Sequence, residues 1–140
     1  MVLKGEIMFQ VYERYGFHDT SINRIEVAKN NLIFNFYSGI YILNKEGRET
    51  KLTPQCKVLL EFNPDGVFSI ENHTEIKWYC KNRFKTISLL QLRKMIMKDE
   101  FSICKNYCST FSNSILFNGF IKKYEIDFYI NNISDIKIII

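Results

Sequence analysis

The chain has 140 residues and a formal net charge of +4, and 46% of its residues are hydrophobic. This length is typical of one domain and suffices for a self-contained core, so we expect a single domain over residues 1–140. No apolar run reaches the roughly 18 residues of a membrane span and no secretory signal is recognisable, which predicts a cytoplasmic protein. Aromatic residues make up 15% of the chain and Ala28 is its only alanine, a composition that favours strands over helices.

The first third of the chain alternates apolar and polar residues, which indicates strands. A strand with Ile25 and Val27 is followed by Asn30–Asn31, where we expect a tight turn because asparagine tolerates left-handed backbone. A second strand then carries Leu32, Phe34 and Phe36. Breaks at Ser38–Gly39 and at 44–47 enclose a third strand over 40–43.

The middle of the chain contains the clearest turn sequence, Asn63-Pro64-Asp65-Gly66. Proline suits the second position of a β-turn, and glycine supplies a positive φ. The turn predicts a hairpin between strands 58–62 and 67–70. A further strand should carry Ile76, Trp78 and Cys80 on its buried face.

One helix is predicted near residues 88–98. Ser88 and Gln91 have the spacing of a capping box, in which each side chain bonds the other residue's backbone N–H. Leu89, Leu92 and Ile96 follow at helical spacing, and Lys94 and Lys98 lie toward the end where the helix dipole favours cations.

The last third of the chain should begin with a loop over 104–113 and continue with strands over 114–121, 124–130 and 136–140. Asn118–Gly119 could form a bulge or a turn in the first of these strands. With about eight strands joined by short connections, the pattern predicts an α+β fold, mostly antiparallel sheet in a sandwich or open barrel, with one helix. An exposed strand over 136–140 could pair with a second copy, so the chain could be a monomer or a dimer.

His18-Asp19 is the pair most suggestive of catalysis, because a carboxylate can orient an imidazole for acid–base chemistry. Adjacent residues of a strand point to opposite faces, however, and no nucleophile can be placed beside them. Asp19 and Thr20 are therefore better explained as turn-forming residues, and we expect no enzymatic activity.

Other chemical motifs are weak. Cys104 and Cys108 form one loosely spaced pair, whereas a zinc site usually has two close pairs, so we expect the four cysteines to be reduced thiols. No glycine-rich phosphate-binding motif is present, and neither a metal nor a cofactor is predicted.

The strongest signal is a basic stretch over residues 77–98, which has seven Lys or Arg residues and no Asp or Glu. The residues before it have 8 basic and 10 acidic side chains, and those after it have 4 and 5, so the excess positive charge lies here. Clustered charge of this kind either forms a solvated face or selects a protein or nucleic-acid partner. The predicted binding residues are Lys77, Tyr79, Lys81, Arg83 and Lys85.

The segment Phe17-His18-Asp19-Thr20-Ser21-Ile22-Asn23-Arg24-Ile25 resembles the opening of a group of small bacterial cytosolic proteins rich in strands. The helix over 88–98 and the closing strands around Phe117-Asn118-Gly119 are similar in outline. Many such proteins are uncharacterised, and some resemble immunity proteins of bacterial toxin systems. The resemblance implies that the protein binds and blocks a toxin.

The leading hypothesis is therefore a stoichiometric protein-binding module, an immunity protein that occludes a toxin. If that toxin is a nuclease with a basic groove, acidic side chains should serve better, and the candidates are Glu46, Glu49, Glu71 and Glu75. The alternative is a nucleic-acid-binding β domain that uses the basic stretch, because cations follow phosphates while aromatic rings stack on bases. A third possibility is an enzyme that depends on His18 and Asp19.

Overall fold

The computed structural model describes residues 10–63 and 69–140. These residues form a mostly antiparallel β fold with thirteen strands in three sheets, which confirms the predicted α+β class. The strands outnumber the eight or so expected because several are only two to four residues long. Within the described residues no helix has the length and apolar character needed to cross a bilayer.

The strands have the following bounds: β1 Tyr15–Gly16, β2 Ser21–Ile22, β3 Arg24–Ala28, β4 Asn31–Phe36, β5 Tyr41–Leu43, β6 Glu49–Leu52, β7 Cys56–Phe62, β8 Thr74–Cys80, β9 Arg83–Ile87, β10 Phe101–Ser109, β11 Ser114–Ile121, β12 Tyr124–Ile130 and β13 Ile133–Ile139. They form a six-stranded sheet (β2-β10-β11-β12-β8-β9), a four-stranded sheet (β13-β7-β4-β3) and a three-stranded sheet (β1-β5-β6). Residues 10–14 are helical, and a 3-10 helix spans Ile70–His73.

The core lies between the six-stranded and four-stranded sheets. Phe34 of β4 packs edge-on against Phe117 of β11 and Phe128 of β12, with ring centroids 5.8 Å apart in each pair. Phe17 adds contacts to Phe36 and Phe117 from the segment between β1 and β2. All five rings are at most 1% exposed, so a continuous aromatic cluster joins the two sheets.

Helix α1 spans Leu89–Lys98 and begins as predicted. The Ser88 hydroxyl accepts a bond from the Gln91 backbone N–H, and the Gln91 side chain accepts one from the Ser88 N–H, which completes a capping box. The buried side of the helix carries Leu89, Leu92 and Ile96. The Glu71 carboxylate also accepts a bond from the Leu89 N–H, where negative charge favours the helix N-terminus.

The predicted loop over 104–113 is wrong, because β10 continues to Ser109 and pairs with β11. The register shifts between Ile103 and Lys105, opposite Gly119 and Asn118, so the bulge is in β10 rather than in β11. A Cβ on Gly119 would lie 2.0 Å from the Ser102 carbonyl oxygen, which explains why glycine occupies this position.

Two other predicted connections differ from the structure. The first hairpin turns at Lys29–Asn30, one residue earlier than expected, and Lys29 takes the left-handed conformation with φ 51°. The predicted hairpin between 58–62 and 67–70 is not seen in the described residues, where β7 pairs with β4 and β13 and Ile70 starts a 3-10 helix; residues 67 and 68 of its second strand lie outside them. The turn itself, at 63–66, lies mostly outside the described residues.

Candidate protein-binding surface

The basic stretch divides into two parts in the fold. Lys77, Lys81, Arg83 and Lys85 belong to the β8–β9 hairpin, whereas the other three cations lie on α1. Strand β9 is an edge of the six-stranded sheet, and its first four residues are exposed. The basic residues of the stretch therefore lie on two separate elements, the exposed hairpin and α1.

The five predicted binding residues do not share one face. Lys77 and Tyr79 alternate with Ile76 and point away from the core, as expected. Lys85 is paired with Trp78, and its Nζ lies 4.3 Å from the centroid of the Trp78 ring. Both residues therefore lie on the side of the hairpin opposite to Lys77 and Tyr79. These two faces of the hairpin cannot contact one flat surface at the same time.

The remaining two predicted residues lie at the hairpin tip. Lys81 occupies the turn with φ 58°, and Arg83 is paired with Cys80. Trp78 was expected in the core beside Cys80, but it is only partly buried, and Cys80 is exposed. The sandwich core ends before the tip, which leaves both sides of the hairpin open there.

The surface of the six-stranded sheet that points away from the four-stranded sheet is here called the outer face. None of the twelve side chains named below is buried, whereas alternate residues of the central strands, such as Ile115, Phe117, Ile126 and Phe128, belong to the core. Five of the twelve are aromatic. The members of the outer face are Glu75, Lys77, Tyr79, Phe84, Lys105, Tyr107, Leu116, Asn118, Phe120, Glu125, Asp127 and Tyr129.

Hydrogen bonds hold two acidic side chains at the centre of the outer face. The Asn118 side-chain amide donates to Glu125 at 2.9 Å and to Asp127 at 2.7 Å. The Tyr79 hydroxyl donates to the other oxygen of Asp127 at 2.8 Å. This bond, together with burial and the neighbouring carboxylates, raises the pKa of Tyr79 to about 12. Three hydrogen bonds thus hold the acidic centre in one arrangement.

A shallow depression of about 260 Å³ lies beside this acidic centre. It is lined by Glu75, Lys77, Leu116, Asp127 and Tyr129. Lys77 also reaches Glu75 at 3.8 Å and lies 5.0 Å from the centroid of the Phe84 ring. The depression therefore combines apolar surface from Leu116 and Tyr129 with the charged side chains of Glu75, Lys77 and Asp127.

The four acidic residues considered as alternatives lie in different places. Glu75 belongs to the outer face, but Glu71 bonds the start of α1, and Glu46 lies in the turn between β5 and β6. Glu49 lies 3.5 Å from His18. The acidic surface is therefore formed by Glu75 with Glu125 and Asp127, two residues that the sequence analysis did not identify.

Asp19 and Thr20 help to form a tight turn, as predicted, and His18 lies within it. The Thr20 backbone N–H and hydroxyl both donate to the Phe17 carbonyl oxygen, at 3.2 and 2.6 Å. Asp19 has φ 58°, and its N–H donates to the Ile103 carbonyl oxygen. His18 Nδ1 lies 3.4 Å from Asp19 and 3.5 Å from Glu49 in a largely exposed position. Such exposure offers little exclusion of water to a reacting group.

All four cysteines are free thiols, and burial raises the pKa of Cys56 and of Cys108. A raised pKa lowers the thiolate fraction and so the nucleophilicity at neutral pH. Across residues 10–63 and 69–140, no group of three or more His, Cys, Asp or Glu side chains is arranged to hold a metal ion.

Comparison of the chain with protein-family models, with curated proteins and with solved structures yields no match.

Proposed function

We propose that this protein is a stoichiometric protein-binding module whose outer face covers a basic surface of its partner. The observation that carries the proposal is the acidic centre of Glu125 and Asp127, fixed by Asn118 and Tyr79 and surrounded by uncovered aromatic side chains. Phe84, Tyr107 and Phe120 are 56%, 59% and 38% exposed. Aromatic residues are enriched at protein interfaces, where their large area is buried at a small cost in side-chain entropy.

Fixed carboxylates favour binding for two physical reasons. Because hydrogen bonds already hold them, little conformational entropy is lost when the partner docks. Their charge also attracts a basic partner over a distance and rejects an acidic one, which raises the association rate and the specificity. Lys77 and Lys105, on the same face, would contact acidic groups of the partner and fix its orientation.

In its finer form, the proposal is that the partner is a toxin and that the protein acts as an immunity protein in bacterial cytoplasm. The resemblance of residues 17–25 supports this form. A toxin that acts on nucleic acid has a basic substrate groove, and an acidic, aromatic outer face has the charge to cover one. The mechanism would be occlusion without turnover and without a cofactor.

The test begins with capture of a tagged copy from cells that express the protein naturally, with nuclease treatment. The captured protein is then purified and titrated by calorimetry. We expect one-to-one binding that weakens at least tenfold with Tyr107→Asp or Asp127→Lys. The matched control is Leu52→Asp on β6, an apolar residue 46% exposed outside the outer face, which should leave the affinity unchanged. The proposal would be contradicted if Leu52→Asp weakened the affinity as much as the outer-face variants do, or if no protein partner were captured.

The basic hairpin favours one alternative, a nucleic-acid-binding β domain. Phe84 is exposed between Arg83 and Lys85, a mixture of rings and cations that single-stranded nucleic acid can contact. The ring faces are partly occupied, however, because Lys77 lies over Phe84 and Lys85 over Trp78. The carboxylates of the outer face would also repel phosphates, so the geometry supports protein binding better.

Salt dependence separates the two functions. Affinity for RNA should fall by orders of magnitude between about 50 and 200 mM salt if several phosphates are contacted. Charge reversal at Lys81 and Arg83 should abolish such binding. We expect instead that these two changes leave the captured protein bound, and that nuclease treatment does not release it.

A further inference from the structure

A second surface, which shares no lining residue with the outer face, lies where α1 meets strand β3. It is a groove of about 500 Å³ whose apolar rim consists of Tyr37, Leu90 and Met97. These side chains are 51%, 53% and 81% exposed, so three large apolar groups open to solvent around one concave surface. Clustered exposed apolar groups mark an interaction site more reliably than isolated ones do.

Hydrogen bonds make the floor of the groove rigid. Arg93 Nε donates to the Ile25 carbonyl oxygen at 3.0 Å and so ties α1 to β3. The Asn23 side chain accepts a bond from the Tyr37 backbone N–H at 2.9 Å, which fixes the segment carrying the Tyr37 ring. Because Arg93 occupies a backbone acceptor on the edge strand β3, a partner would bind through side chains here rather than by adding a strand.

The charge of the groove selects its occupant. Arg24, Arg93 and Lys94 line it, and among the described residues no carboxylate lies within ion-pair distance of Arg93 or Lys94. The nearby carboxylates are already engaged, since Glu26 pairs with Arg24 and Glu100 accepts a bond from Asn23. The groove therefore presents two uncompensated cations beside an apolar rim.

We propose that this groove binds an acidic segment of a protein partner, with apolar anchor side chains seated between Leu90, Met97 and Tyr37. The carboxylates of the segment pair with Arg93 and Lys94. This site is separate from the outer face in position and opposite in charge, so the protein can engage two regions of a partner, or two partners, at once. Linked engagement of two sites raises the overall affinity by increasing the effective concentration.

The test uses a library of random 12-residue peptides displayed on phage and selected on the intact protein. We expect enriched peptides to carry a net negative charge with apolar residues. Synthetic copies should bind the Met97→Asp and Lys94→Glu variants at least tenfold more weakly than the unchanged protein. Both positions are exposed, so the variants should fold.

Matched controls are Phe111→Asp, a fully exposed aromatic residue outside the groove, and Lys57→Glu, an exposed cation on β7. Both variants should bind the peptides as tightly as the unchanged protein. The outer-face variant Tyr107→Asp should also bind them normally, so a failure of the groove proposal can be told apart from a failure of the proposed function of the outer face. Peptides that bind all variants equally, or enrichment of basic peptides, would overturn the proposal. Tighter groove-dependent binding of RNA or of anionic phosphatidylserine vesicles than of any acidic peptide would also overturn it.

Discussion

The two faces of the six-stranded sheet are built from alternate residues of the same strands, yet they have opposite character. On the inner face, Phe117, Ile126 and Phe128 are at most 1% exposed and pack against the four-stranded sheet. On the outer face, Asn118, Asp127 and Tyr129 remain partly open to solvent. The inner face supplies the packed core, whereas the outer face can hold a network of polar side chains.

The largest expected effect is loss of the inner aromatic cluster. Phe117→Ala should lower the free energy of unfolding by about 3–5 kcal/mol, because the cavity lies between two sheets that cannot easily close around it. Urea denaturation followed by circular dichroism measures the change. Tyr107→Ala on the outer face is the matched control and should cost far less. Equal losses in the two variants would mean that the faces do not differ in their contribution to stability.

A second change tests how tightly β10 and β11 approach each other. Gly119→Ala places a methyl group against the Ser102 carbonyl oxygen and the Phe101 ring, so we expect a loss of about 1–3 kcal/mol in unfolding free energy. Thermal unfolding provides the measurement. A variant as stable as the unchanged protein would show that the strands do not meet this closely at the bulge.

The outer-face network should have a signature at alkaline pH. Because the pKa of Tyr79 is raised to about 12 in the folded protein, the folded state keeps this proton at pH values where the unfolded chain loses it. The resulting stability is complete below about pH 10, the ordinary value for tyrosine, and is lost as the pH rises toward 12.

Asp127→Ala removes both the acceptor of the Tyr79 hydrogen bond and the neighbouring charge, which are causes of that shift, so the fall in unfolding free energy between about pH 10 and 12 should become shallower. The contribution of Tyr12, whose pKa is raised by burial, should remain. NMR titration of labelled tyrosine follows Tyr79 directly and should show its pKa moving toward about 10 in the variant. An unchanged titration would contradict the hydrogen bond between the two side chains.

The smallest effect on stability is expected at Phe84. Its ring is 56% exposed and contacts Lys77 and Tyr79 at the surface, so Phe84→Ala should change the unfolding free energy by less than about 1 kcal/mol. Affinity for the protein partner should nevertheless fall. A large loss of stability without a loss of affinity would mean that Phe84 stabilises the fold, as inner-face residues do, and does not contact the partner.

Much of this fold could be predicted from alternation and capping. Strands β11 and β12 have the expected bounds, and the Ser88–Gln91 pair identifies the start of α1 correctly. Strand β10 was missed because the register shift after Ile103 interrupts its alternation, and its second half contains polar residues. Several of the thirteen strands are only two to four residues long, which is too short for alternation of apolar and polar residues to be recognised.

The candidate site was harder to predict, because it depends on which strands are neighbours. Tyr79 and Asp127 are 48 residues apart in sequence and meet only because β8 pairs with β12. Part of the site is visible in the sequence, because alternation in β12 places Glu125, Asp127 and Tyr129 on the face opposite Ile126 and Phe128. The sequence alone could reveal that face but not the asparagine and tyrosine that hold its carboxylates.

The most direct test of the central claim is NMR of the labelled protein with and without its purified partner. Binding should perturb the aromatic and side-chain amide signals of Tyr79, Tyr107, Asn118 and Tyr129 and leave the buried Phe34 and Phe128 signals nearly unchanged. Unchanged outer-face signals in the presence of the bound partner would contradict the proposal that the outer face is the binding surface.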